Sequence, residues 1–260
     1  MLKGLRISLL LLSTVTLVGC VPDAQNGENN ISVPPPRIEY ANVWSAQDGF
    51  DLFSRGSELI RATREAGYMS FTLGIEKSFP GYESLIQDGL SNRESELNSV
   101  FKGGRSPAGQ SPVTNYFHIV DLVESDHSVS ATVCLYTIQS IENSSDRGEV
   151  FSTATYISLE NSEASPGPPG LIDRDIAAHD AAAKFPPDWN VFGTWRAEQL
   201  RVLTADEVPR GCTQWWSERF PEYVKRTPDS RTLVPPEGYV PPVMPVAVQY
   251  PEWIGPGDVS

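Results

Sequence analysis

Residues 116–136 read YFHIVDLVESDHSVSATVCLY, and their alternation decides the fold class. Tyr116, His118, Val120 and Leu122 fall on one face of an extended strand, with Phe117, Ile119 and Val123 on the other. Ser125-Asp126-His127 has turn chemistry, because short polar side chains bond to backbone close by. Val129, Ala131, Val133 and Leu135 then line one face of a second strand, with Cys134 and Tyr136 opposite. Two alternating runs around a polar turn form a β-hairpin.

Downstream, Val150–Leu159 is rich in Thr, Tyr, Phe and Ile and reads as a third strand. Residues 161–170 (NSEASPGPPG) break the pattern. The alanine-rich Ile172–Ala183 reads as a short helix stopped by Pro186-Pro187. From Trp189 to Leu203 alternation returns, with Val191, Gly193, Trp195 and Ala197 against Phe192, Thr194, Leu200 and Val202. Trp215, Trp216 and Phe220 suggest a last helical segment.

Upstream, Leu59, Ala62, Ala66, Met69 and Leu73 recur at steps of three and four, one face of a helix. Ser57 is a candidate cap and Gly74 a stop. Pro80 suits a first helical position, with Tyr82, Leu85 and Ile86 as the buried face of a second helix. The Ser- and Gly-rich stretch 91–113 reads as a long loop. Helices first and strands afterwards imply an α+β domain over 38–226, with N-terminal helices packed on a curved antiparallel sheet. From 227 to 260 the chain turns proline-rich: eight of the 22 prolines lie from Pro228 onward. This tail favours extended conformation, with Val240, Met244, Tyr250, Trp253 and Ile254 free to drape over the domain.

The first residues have a different texture. Lys3 and Arg6 precede the apolar run Ile7–Val18, and a small residue and a cysteine follow. This is the layout of a secretory signal. Twelve residues are too few to span a bilayer, which takes about 20. Leu17, Val18, Gly19 and Cys20 resemble the bacterial lipobox. The resemblance implies cleavage after Gly19 and a diacylglycerol thioether on Cys20, so that residues 1–19 are a leader and 20–37 a lipidated tether ending in Pro34-Pro35-Pro36. Multiple acyl chains anchor firmly because each buried CH2 contributes about 0.8 kcal/mol. Removing the leader leaves 18 basic against 33 acidic residues, a net charge of −15. That charge argues against nucleic acid and against electrostatic binding to anionic lipid.

Cys134 and Cys212 remain. In an oxidising compartment an even pair is expected to close. A 78-residue separation is worth roughly 4–5 kcal/mol in the chain-entropy model, less any strain. A metal pair or two buried thiols are the alternatives, and no CxxC or histidine-rich cluster supports a metal.

The early helix, the step Ser78-Phe79-Pro80-Gly81-Tyr82, and a strand-borne cysteine answered by one after a tryptophan-bearing strand resemble uncharacterised secreted lipoproteins of actinobacteria. Some of these are similar in outline to the cone-shaped fold of nuclear transport factor 2. The resemblance covers roughly residues 48–216 and implies no activity.

No catalytic or cofactor motif stands out. His118 and Asp121, three apart on a strand, point to opposite faces. Asp126-His127 belongs to a turn, and His179-Asp180 reads as surface. No serine sits in a G-x-S-x-G elbow, and Gly103-Gly104 is too sparse for a phosphate loop. Asn30-Ile31-Ser32 and Asn143-Ser144-Ser145 match the glycosylation triplet without weight in a bacterial lipoprotein. Trp195, Trp215 and Trp216 are candidate pocket residues. The expectation is a membrane-anchored, non-enzymatic envelope lipoprotein without cofactor or metal. It would bind a small or apolar ligand, or an envelope protein, on the concave face of the sheet. The alternatives are an assembly role through the proline-rich tail, and an enzyme using a pocket Asp or His.

Overall fold

The computed structural model describes residues 40–90, 112–139, 153–161, 163, 168–225, 227–239 and 244–256. Leu17, Val18, Gly19 and Cys20, where a lipobox is expected, the expected tether and most of the stretch 91–113 lie outside them.

The hairpin at the centre of the sequence is also the centre of the molecule. Strands β2 (Val113–Glu124) and β3 (Ser128–Gln139) pair antiparallel. Strand β4 (Thr153–Glu160) adds to β3, and β5 (Arg196–Val202) adds to β4, both antiparallel. On the other side of β2 lies β1 (Tyr40–Ala46), which runs parallel to it with Ser45 opposite His118. The sheet is therefore mixed and open, in the order β1-β2-β3-β4-β5. The expected curved antiparallel sheet does not form. A strand precedes the helices, and its parallel pairing needs the long crossover that the helices supply.

Helix α1 (Arg55–Leu73) begins at Ser54, whose Oγ accepts the N–H of Ser57 at 3.2 Å. The cap is thus three residues earlier than the apolar spacing suggested. A single 3-10 turn (Ile75–Lys77) and α2 (Tyr82–Leu90) follow, with Tyr82, Leu85 and Ile86 buried as expected. Gly81, at φ +84°, makes the turn into α2 where a Cβ would strike the Asn190 side chain at 2.2 Å. Helix α3 (Arg210–Arg219) lies after the sheet, so helices do not all precede strands. The hairpin β6 (Val224–Lys225) and β7 (Leu233–Val234) completes the order.

Each face of the sheet carries its own core. Leu59, Ala62, Ala66 and Met69 of α1 and Leu85 of α2 pack on Phe117, Ile119, Val133 and Ile157. On the opposite face Cys134, Tyr136 and Ala154 pack under Cys212, Trp216 and Phe220. Cys134 and Cys212 are joined by a disulfide across this second core, with their Cα atoms 5.4 Å apart, inside the usual range.

Two expectations fail locally for identifiable reasons. A β-bulge between Val120 and Val123, centred on Asp121 at φ 54°, exchanges the faces of the strand end. Leu122 thus joins the α1 core and Val123 is left 65% exposed. Ile172–Ala183 is not a helix. The carboxylates of Asp173, Asp175 and Asp180 accept the N–H groups of Asp175, Ala177 and Ala182, two residues on. Such local bonds compete with helical ones. The segment instead bridges to Ile254 through Leu171 and Ala183.

Candidate functional site

A cleft opens where the N-terminus of α1 meets the β2–β3 turn. Its volume is about 680 Å³, within the range of small-molecule sites. Leu59, Val129 and Trp195, all nearly buried, close its floor. Ser54, Arg55, Glu124, Asp126, His127, Asn161 and Glu163 supply its polar surface.

Each wall is held by bonds of its own. Glu124 Oε2 accepts from Ser54 Oγ at 2.9 Å and from the Gly56 N–H at 3.0 Å, which ties the end of β2 to the first turn of α1. A carboxylate there satisfies free helix donors and complements the dipole. A Cβ at Gly56 would lie 2.1 Å from Glu124 Oε2, so a side chain there would displace this carboxylate. Arg55 bonds to Glu58 and to the Val191 carbonyl. Asn161 Oδ1 accepts from Thr194 Oγ1 at 2.9 Å and from the Glu163 N–H, while the Asn161 N–H donates to the His127 carbonyl. Asp126 and Glu163 carry no side-chain hydrogen bond among the described residues, and the buried Trp195 indole N–H has no acceptor there.

The three candidate tryptophans are not brought together. Trp195 borders this cleft at the head of β5. Trp216 is buried in the core on the other face of the sheet. Trp215 borders a second hollow of about 240 Å³ with His118, Asp48 and Glu218. There the His118 ring stacks on Trp215 at 4.9 Å, and its Nδ1 lies 2.8 Å from Ser45 Oγ. Burial pulls His118 down to about 4, with Glu218 and Asp48 acting the other way. His118 bonds to a serine rather than to a carboxylate, and His127 sits on an exposed turn with Nδ1 3.2 Å from the Asn161 carbonyl. His179 bonds to Glu252, which holds it above its ordinary value.

A further polar cluster lies inside the α1 core, and nothing in the spacing of residues announced it. Glu65 is 1% exposed. Its Oε1 accepts the Trp44 indole N–H at 2.7 Å and its Oε2 that of Trp253 at 2.9 Å, with Gln249 Nε2 at 3.3 Å. Burial pushes its carboxyl up to about 7, against the pull of the indole donors and of Arg61. Arg61 is itself buried, with its guanidinium 4.8 Å from the Trp253 ring centre.

Among the described residues, no group of three or more His, Cys, Asp or Glu is placed to hold a metal ion. No described helix is long and apolar enough to cross a membrane. No family model matches the chain, and no curated protein or solved structure is similar to it.

Proposed function

We propose that this chain is an exported bacterial lipoprotein anchored through lipid on Cys20, and that its folded part is a non-enzymatic binding module. The observation that carries the binding reading is the cleft of about 680 Å³. Its floor is closed by the nearly buried Leu59, Val129 and Trp195, and its rim carries carboxylates that are not all committed to the fold. Such a site suits a small molecule whose donor groups turn toward Asp126 and Glu163 above that apolar floor. The leader and lipobox resemblance of residues 1–20 support the anchoring. The Cys134–Cys212 disulfide supports an oxidising compartment. The site lies beyond the hairpin end of the sheet rather than on a concave sheet face.

Native mass spectrometry of the full chain, exported in a bacterial host and released in detergent, tests both parts. Lipidation predicts a chain beginning at residue 20 with an added diacylglycerol. Binding predicts a further mass that is lost on denaturation. Asp126→Trp, which places bulk at an exposed rim position, should abolish that further mass and leave the melting temperature unchanged. Equal ligand retention by Asp126→Trp and the native chain counts against the cleft. A chain still beginning at Met1, without acyl mass, counts against the anchor.

A further inference from the structure

We infer that the loop 170–188 is a membrane-contacting face, which seats the domain on the bilayer that its lipid anchor reaches; this rests on the lipoprotein reading above. The loop exposes four large apolar side chains. Leu171, Ile172, Ile176 and Phe185 are 55%, 54%, 62% and 40% exposed. Water-facing apolar groups concentrated in one segment mark an interaction site more often than scattered ones do.

The segment is pinned rather than loose. The Gly170 N–H donates to Glu58 Oε1 at 2.7 Å, and the Leu171 N–H donates to the Ile254 carbonyl at 2.9 Å. The Glu252 N–H donates to Asp173 Oδ2 at 2.7 Å, and the Lys184 N–H donates to the Trp253 carbonyl at 2.9 Å. Both ends of the loop are thereby fastened to residues 252–254, which are buried on α1. Its apolar side chains are presented by a fixed frame.

Tyr40, the first described residue, packs edge-on against Phe185, with ring centres 5.4 Å apart. Cys20 lies 20 residues before it, a covalent reach of at most about 70 Å. The point at which the anchored chain enters the fold therefore adjoins the exposed apolar loop. Four side chains on an irregular segment fall short of the area that a stable protein interface buries. They suit shallow insertion at a lipid interface, with Arg174 between Ile172 and Ile176 free to reach the headgroups. The charges give no attraction to anionic lipid: Arg174, Lys184 and His179 stand against Asp173, Asp175, Asp180 and Asp188. Contact should accordingly persist, and not weaken, as salt is raised.

The test places an environment-sensitive fluorophore on the full, lipidated chain through Ile176→Cys, with Val224→Cys on the β6 strand as the control. Cys134 and Cys212 are bonded to each other, so the introduced thiol is the reactive one. The protein is bound to phosphatidylcholine–phosphatidylglycerol vesicles carrying nitroxide acyl chains. The expected result is flotation with the vesicles, with fluorescence quenched severalfold more at 176 than at 224 at both low and high salt. Flotation with equal quenching at the two positions overturns the docking face and leaves the anchor standing. Failure to float, with no acyl mass, overturns the anchor and the inference together. A probe at 176 that becomes protected without vesicles as protein concentration rises assigns the loop to self-association and overturns the inference.

Discussion

At the scale of single residues, Glu65 is the group whose chemistry is most altered by its surroundings. It sits among Trp44, Trp253, Gln249 and Arg61, away from water, and its carboxyl is pushed up to about 7 from an ordinary value of 4.5. Between those values the folded chain keeps a proton that the unfolded chain releases. Glu65 therefore stabilises the fold in acid, and this contribution is lost as the pH rises to about 7, on the order of 3 kcal/mol. His118 works in the opposite sense. Its value is lowered from 6.5 to about 4, so its contribution is present above about 6.5 and is lost as the pH falls toward 4. The two slopes overlap, and a variant is needed to separate them. Glu65→Gln resembles the protonated acid at every pH. The stability difference between the native chain and Glu65→Gln should therefore move in favour of the variant as the pH rises from 4.5 to 7.5. Thermal melts across that range check it, and parallel curves would show that Glu65 does not titrate there.

At the scale of elements, the disulfide has a defined task. It fastens α3 to β3, at the centre of the sheet. Replacing both cysteines with alanine should lower stability by about 2–5 kcal/mol, on the loop-closure argument for a 78-residue separation. Hydrogen exchange should show α3 losing protection before β2 and β3. Equal loss throughout would mean that the second core is held by Trp216 and Phe220 rather than by the bond. The hairpin, α1, α2 and the pairing of Cys134 with Cys212 were legible because each rests on local periodicity or on a small count. Strand β1 was not. Its buried Asn42 reads as polar, but its Oδ1 accepts from Asn115 on β2 at 3.1 Å, and its parallel partner lies more than sixty residues away. The cleft was half legible: the Ser125–His127 turn and Trp195 stood out, whereas Ser54, Gly56 and Asn161 acquire meaning only when three distant segments meet. Ile172–Ala183 misled because alanine content favours a helix while its spaced aspartates favour turns.

At the scale of the whole molecule, the proline-rich C-terminal stretch changes the character of α1. The spacing of Leu59, Ala62, Ala66 and Met69 describes a one-sided helix, yet 15 of its 19 residues are buried, among them Glu58, Arg61, Arg64 and Glu65. The second covering is residues 249–254. Tyr250 pairs with the β1 edge through Trp44 and Asn42, and Trp253 enters the core 2% exposed. Edge strands left open invite association, and here the chain covers its own edge. The charged side of α1 is stable in the interior because the returning segment brings donors to Glu65 and an aromatic face to Arg61. Trp253→Ala should thus cost about 3–5 kcal/mol, a fall in melting temperature of roughly 10–15 °C for a chain of this length. Met244→Ala and Val248→Ala, at partly exposed positions of the same stretch, should each cost less than about 0.5 kcal/mol. An assembly role for this stretch is consequently not testable by deleting it, since deletion removes a wall of the core. The exposed pair supplies the test: loss of function in the doubly substituted chain, with an unchanged melt, would assign the stretch a partner beyond its own domain. If the Trp253 variant melts like the native chain, α1 carries its buried charges without this cover, and the C-terminal stretch is no part of what stabilises the fold.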